Sequence, residues 1–266
     1  VRLKKLFWKL SFCAVSEHEP IRSDTTYRAD GAYLRAQLWQ PSTLVLALSA
    51  VLLTLQYYWG NRTLLRKLLT PYGLTGVQLE MAESVGWCLL IASLYLVIPA
   101  LVVKLAFRQR LRDYGLGWGS LHRHWHFYVL VLAGMLPLVI MAARTPYFQQ
   151  TYPFYSYVSA SLAGFVIWQA AYALQFVAVE FFFRGFLLFG LRPTFGVHAL
   201  LVGMVPYCMI HFQKPMGEAL GAIVAGFLLN YLALKNRSIW GGAFLHWMIA
   251  LTMDAAAIFF RGGFGP

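Results

Sequence analysis

LAGFVIWQAAYALQFVAVEFFFRGFLLFG, residues 162–190, is apolar around any helix it forms and holds only two charges, Glu180 and Arg184. At 1.5 Å per residue a run of this length spans the ~30 Å hydrocarbon core of a bilayer. An ionisable side chain at that depth costs on the order of 3 kcal/mol or more. Such groups persist where they pair, line a wet cavity or do chemistry. Glu180 and Arg184 stand four residues apart and share one helix face, so an intrahelical ion pair is one reading. Apolar residues would be cheaper there, because buried pairs often lose to apolar replacements. A carboxylate held ready to activate water is the alternative reading.

The rest of the chain has the same character. Its 266 residues are 59% hydrophobic and only 12% charged, whereas soluble domains carry about 25% charged residues. The composition predicts an all-α polytopic membrane bundle. About seven spans are expected, at 41–59, 84–107, 126–143, 158–189, 197–213, 216–234 and 239–260. Tyr57, Tyr58, Trp59, Trp118, Trp125, Tyr155 and Trp240 fall near span ends, where an aromatic belt sits. With the N-terminus inside, 16 of the 22 Lys and Arg residues face the cytoplasm and 6 face outward. The net charge of +12 is spread over short loops rather than one folded face, which argues against a nucleic-acid partner. Residues 1–38 read as a basic cytoplasmic or interfacial lead-in, either an interfacial amphipathic segment through LKKLFWKLSF or a disordered tail. Residues 39–266 read as one transmembrane domain. No signal peptide is read, because the first long apolar run, near residue 41, is too long for one. No internal repeat is visible, which weakens an inverted-repeat transporter. Cys13, Cys88 and Cys208 have no metal-like spacing and read as packing residues.

Two further stretches carry polar groups into apolar surroundings. PYCMIHFQKP, residues 206–215, places His211 one turn after Tyr207. A lone membrane histidine also satisfies itself on a neighbouring backbone carbonyl, and that reading stays open. SIWGGAFLHWMIALTMD, residues 238–254, places His246 two turns into the last span and Asp254 two turns further. Asp254 is expected to be paired or near the outer surface. Glu180 lies roughly 18 Å along its helix from Arg192, and His246 roughly 13 Å from Arg237, depths at which Glu180, His211 and His246 can meet. Gly217, Gly221 and Ala225 form a small-residue stripe, with Gly226 beside it, that predicts close helix packing. HRHWH, residues 122–126, reads as an interfacial basic patch.

These residues resemble the CAAX protease and bacteriocin-processing family, intramembrane glutamic endopeptidases of the Rce1 type. That family carries EExxxR, FxxxH, a Gly-rich helix and HxxxN or HxxxD, in that order. Here VEFFFR (179–184), YCMIH (207–211), GEALGAIVAG (217–226) and SIWGGAFLHWMIA (238–250) follow the same order, and LRDYGLGW (111–118) resembles the segment before the core. The resemblance covers about residues 105–255. It implies a membrane protease in which Glu180 is the base, His211 its partner in activating water, His246 the oxyanion donor and Arg184 the group that orients and balances Glu180. Tyr207 and Asp254 are the supporting candidates. Two departures stand out: the first motif glutamate, usually taken as the catalytic one, is Val179, and the Asn or Asp four residues after His246 is Ala250.

Three functions follow. The first is a metal-independent endopeptidase cutting a peptide or protein tail near the membrane, with no cofactor. The second is a non-proteolytic member of the same fold, acting as scaffold, immunity factor or subunit of a membrane complex. The third is a metal-dependent enzyme or transporter built on one Glu and two His, which lacks an HExxH motif. The expected partners are membrane lipids and a peptide substrate or protein partners, and the expected location is a bacterial inner membrane.

Overall fold

The computed structural model describes Leu38 and residues 40–262, except Ser159, Ala160, Gln213 and Pro215. The lead-in through residue 37, with LKKLFWKLSF and Cys13, lies outside the described residues. The chain divides into residues 1–39 and 40–266, and only the second unit is described below.

The second unit is helical throughout its described residues apart from turns and connecting segments. Helix α1 (Pro41–Trp59) starts with proline in its first turn, where the missing N–H costs nothing. It is followed by a short amphipathic helix, α2 (Arg62–Leu69), whose cap Asn61 accepts from Leu64 N. Helix α3 (Gly76–Ala106) widens into π-turns at Ser93–Val97 and Val102–Ala106, flanking Pro99, which cannot donate to the helical ladder. Helices α4 (Leu121–Ala143) and α5 (Pro146–Thr151) follow. Helix α6 covers residues 162–195, with a π-turn at Phe181–Leu187 immediately after Glu180. The chain reverses at Gly196, whose φ of 54° suits a residue without Cβ. Helices α7 (Ala199–Met209), α8 (Met216–Asn236) and α9 (Trp240–Phe260) complete the bundle.

Helix α6 is the axis of the molecule. Phe181, Phe182, Phe183 and Phe186 are fully buried, as a helix apolar on all sides requires. Helices α3 and α9 pack on its first half, while α1, α7 and α8 pack on its second half. Among the described residues six stretches are long and apolar enough to cross a membrane, not seven. The expected fourth and fifth spans form one stretch, Leu162–Met209, broken by the reversal at Gly196. The α7 portion has eleven residues, too few to cross on its own.

Two packing expectations need correction. Tyr155 is not in an exposed belt but is buried at 1%, packed beside Trp168. Tyr57, Tyr58, Trp59, Trp118 and Trp125 are exposed at helix ends as expected. Gly217 and Gly221 face open space, so the small-residue stripe does not mediate helix contact there. The close approach is made by Gly226, where an added Cβ would stand 2.9 Å from the Tyr207 ring.

Candidate active site

The polar side chains converge where α6, α7 and α9 meet. Arg184 Nη1 lies 3.1 Å from Glu180 Oε1, and both residues are essentially inaccessible. His246 Nδ1, from α9, approaches the same oxygen at 2.9 Å. The other imidazole nitrogen, Nε2, is 2.8 Å from the Tyr207 hydroxyl of α7. The Arg184 guanidinium lies 3.9 Å over the Tyr207 ring centroid, a cation–π contact. Phe176 stacks on His246 at 5.6 Å. Glu180, Arg184, Tyr207 and His246 therefore form one contiguous cluster from three helices.

The local sequence explains the close approach. GlyGly at 241–242 strips α9 of side chains where α4 and α6 press on it. A Cβ at Gly242 would overlap the Glu180 carboxylate, and one at Gly241 would overlap the Tyr128 ring. LRDYGLGW anchors the start of α9: Ile239 N donates to Gly115 O at 2.9 Å, and Trp240 Nε1 donates to Leu116 O at 3.0 Å. The same segment touches the π-turn, because Gly185 faces Tyr114 O with room only for hydrogen. Residues 111–118 thus set the relative position of α6 and α9.

The contacts to Glu180 are close but oblique. Neither the guanidinium nor the imidazole directs an N–H along a hydrogen-bond line to the carboxylate. Both Glu180 oxygens, all three Arg184 nitrogens and His246 Nδ1 are buried without a hydrogen-bond partner. Those are six of the thirteen such side-chain atoms among the described residues, concentrated in three residues. Buried polar groups are normally satisfied, so this concentration calls for an explanation.

The other candidates are placed differently. His211 does not take the position beside Glu180; His246 does. His211 bonds through Nδ1 to its own helix at Tyr207 O, 2.8 Å away, and its ring packs on the Tyr207 ring at 4.8 Å. The backbone-carbonyl reading of His211 thus describes its Nδ1. Asp254 does not reach His246, because eight residues of helix put it roughly 12 Å further along α9. Its Oδ2 accepts from Trp168 Nε1 and Gln169 Nε2, both at 2.8 Å, and Gln169 Oε1 accepts from Trp247 Nε1 at 3.2 Å. Tyr207, a supporting candidate in the sequence, touches both Arg184 and His246. Gly242 carried no signal beyond a Gly pair.

Outside the membrane-spanning stretches, Lys214 bonds Glu218 at 2.6 Å and the Tyr152 hydroxyl at 3.2 Å. Burial, reinforced by Glu218, holds the Tyr152 hydroxyl above its ordinary pKa range, so it stays protonated and able to donate. Cys88 and Cys208 are free, and Cys88 packs against Gln175. No group of three or more His, Cys, Asp or Glu among the described residues is arranged to hold a metal ion. Beside the site, Trp118, Trp125, Tyr128, Val177, Trp240 and Trp247 line an apolar groove of about 410 Å³ between α4, α6 and α9.

Residues 161–252 match the family described as type II CAAX prenyl endopeptidase Rce1-like. The match spans 92 of the 266 residues and includes every member of the cluster, which bears out the family resemblance read from the motifs. No curated protein and no solved structure matches the chain.

Proposed function

We propose that this Rce1-like membrane protein is an intramembrane endopeptidase and that Glu180, Arg184, Tyr207, His211 and His246 form its catalytic centre. The observation that carries the reading is the concentration of unpartnered buried polar atoms on Glu180, Arg184 and His246. Glu180 accepts a proton from the attacking water as the water oxygen bonds to the scissile carbonyl carbon. Arg184 and the His246 imidazole supply positive charge and N–H groups to the developing oxyanion. The proton passes to the leaving amine as the C–N bond breaks. His211, with Nδ1 donating to Tyr207 O, keeps its Nε2 lone pair free to orient the water. The apolar groove beside Val177 and Gly241 receives the membrane-embedded part of the substrate, a peptide or protein tail. The basic end of the bundle faces the cytoplasm of a bacterial inner membrane, and catalysis uses no metal or cofactor.

A second reading, a non-proteolytic scaffold, immunity factor or complex subunit, is favoured by one feature of the site. Val179 and Ala250 replace two motif residues, and the Tyr207 hydroxyl already occupies His246 Nε2. Comparing the termini of membrane and secreted peptides from cells carrying wild type or Glu180→Gln, at matched protein levels, separates the two. Termini that vanish with Glu180→Gln support the protease. Identical profiles with a folded variant would sink it and favour the scaffold.

A further inference from the structure

A second, polar cavity of about 730 Å³ opens at the basic end of the bundle, away from Glu180. Its wall is assembled from the first turn of α1 (Gln40, Ser42), the loop before α4 (Gln109, Asp113), the last turn of α6 (Arg192, Thr194) and the α8–α9 turn (Arg237). Four separate segments converge there. The wall is held in place by the Thr194 hydroxyl donating to the buried Ser42 hydroxyl at 2.8 Å, and by Tyr114 donating to Gln109 at 2.6 Å. The polar lining residues belong to the first or last turns of helices, or to the loops between them, with Phe189 and Gly190 deeper in α6; for helices that cross a bilayer such ends lie at headgroup depth.

The charges in this cavity are unspent. Among the described residues, neither the Arg192 nor the Arg237 guanidinium makes an ion pair or hydrogen bond, and the Asp113 carboxylate makes none either. Arg237 also sits at φ 52°, a conformation that a non-glycine residue adopts at a cost, on the turn that projects it into this wall. Two guanidinium forks suit the oxygens of a phosphate, which they bind bidentately. One carboxylate in the same cavity suits a cation attached to that phosphate. A purely anionic ligand would meet repulsion from Asp113.

We propose that this cavity binds a phosphoethanolamine group, with Arg192 and Arg237 on the phosphate and Asp113 on the amine. The same chemistry is carried by phosphatidylethanolamine in the membrane and by free phosphoethanolamine in the cytoplasm. The headgroup depth of the wall suits the lipid, and the test separates the two.

The full-length protein in nanodiscs of phosphatidylethanolamine or phosphatidylglycerol is released into the gas phase, and retained lipid is counted by native mass spectrometry. In parallel, free phosphoethanolamine is titrated in neutral detergent with thermal unfolding as readout. Wild type should retain phosphatidylethanolamine over phosphatidylglycerol. Arg192→Gln with Arg237→Asn should weaken retention by about tenfold or more, the loss expected for charge-assisted hydrogen bonds. Asparagine at 237 keeps the left-handed backbone, so this variant should fold. Lys104→Gln with Arg123→Gln, which removes the same charge from the same end outside the cavity, should retain the lipid. Asp113→Asn should abolish the preference for the amine-bearing lipid. Stabilisation by free phosphoethanolamine, without lipid retention, would assign the site to the soluble ligand. Equal retention by wild type and the cavity variant, with no response to free phosphoethanolamine, would overturn the proposal. So would equal loss in the Lys104/Arg123 control, or no preference between the two lipids.

Discussion

Glu180 and Asp254, two of the three carboxylates buried among the described residues, are treated in opposite ways. Asp254 is held by neutral donors, Trp168 and Gln169, each at 2.8 Å along a hydrogen-bond line. Glu180 lies against the Arg184 guanidinium at 3.1 Å and the His246 imidazole at 2.9 Å, neither along such a line. Asp254 therefore braces α6 against α9, in a network extended to Trp247 by Gln169. Glu180 keeps hydrogen-bonding capacity in reserve. Burial alone does not distinguish a site from a brace in a membrane protein; the directionality of the partners does.

The largest expected effect breaks the ionic arrangement from its cationic side. Arg184→Leu leaves Glu180 buried without its nearest counter-charge and should cost about 3–5 kcal/mol. The double variant Glu180→Leu with Arg184→Leu should be more stable than that single variant, measured by unfolding in detergent. Additive losses would show that the pair is not coupled.

The next effect concerns cleavage. Glu180→Gln should lower the rate of substrate cleavage by about a hundredfold or more, the upper range for loss of a general base. Asp254→Asn should change the rate of the folded fraction by less than about threefold, because its destabilisation of about 1–3 kcal/mol acts on folding. Equal kinetic losses from both substitutions would erase the distinction drawn above.

Glycine substitutions sharpen the comparison through sterics. Gly242→Ala pushes a methyl into the Glu180 carboxylate and should destabilise by about 1–3 kcal/mol, with loss of cleavage. Gly221→Ala faces open space on α8 and should be neutral or stabilising by up to about 1 kcal/mol. Thermal unfolding of the two side by side is the check. The smallest effect belongs to the half-buried pair at the start of α8: Lys214→Gln should cost about 0.5 kcal/mol, and a much larger loss would place that pair in the support of the site.

Much of this arrangement was legible in the residues. Apolar runs gave the spans, because a bilayer fixes their length. Glu180, Arg184 and His246 stood out because charge is rare at that depth. Helix rotation was not legible, and rotation decides who meets whom. Three π-turns, at Ser93–Val97, Val102–Ala106 and Phe181–Leu187, shift the phase of α3 and α6 without any composition signal beyond Pro99. His246 rather than His211 faces Glu180, whereas Asp254 is kept from His246 by the rise of α9 itself and meets Trp168. The reversal at Gly196 falls between the expected spans 158–189 and 197–213; what the residues did not show is that the helix after it has only eleven residues.

The π-turn at Phe181–Leu187 also fixes the phase between the two halves of α6. A π-turn amounts to one extra residue in an otherwise regular helix. Straightening those seven residues into an ordinary α-helix, with none removed, would turn everything before them by about 100° against everything after them. Glu180 would swing away from α9, although each half of α6 would keep its own packing partners. The order of residues along α6 thus works as a keyed coupling, in which the count between the two halves matters as much as their identity.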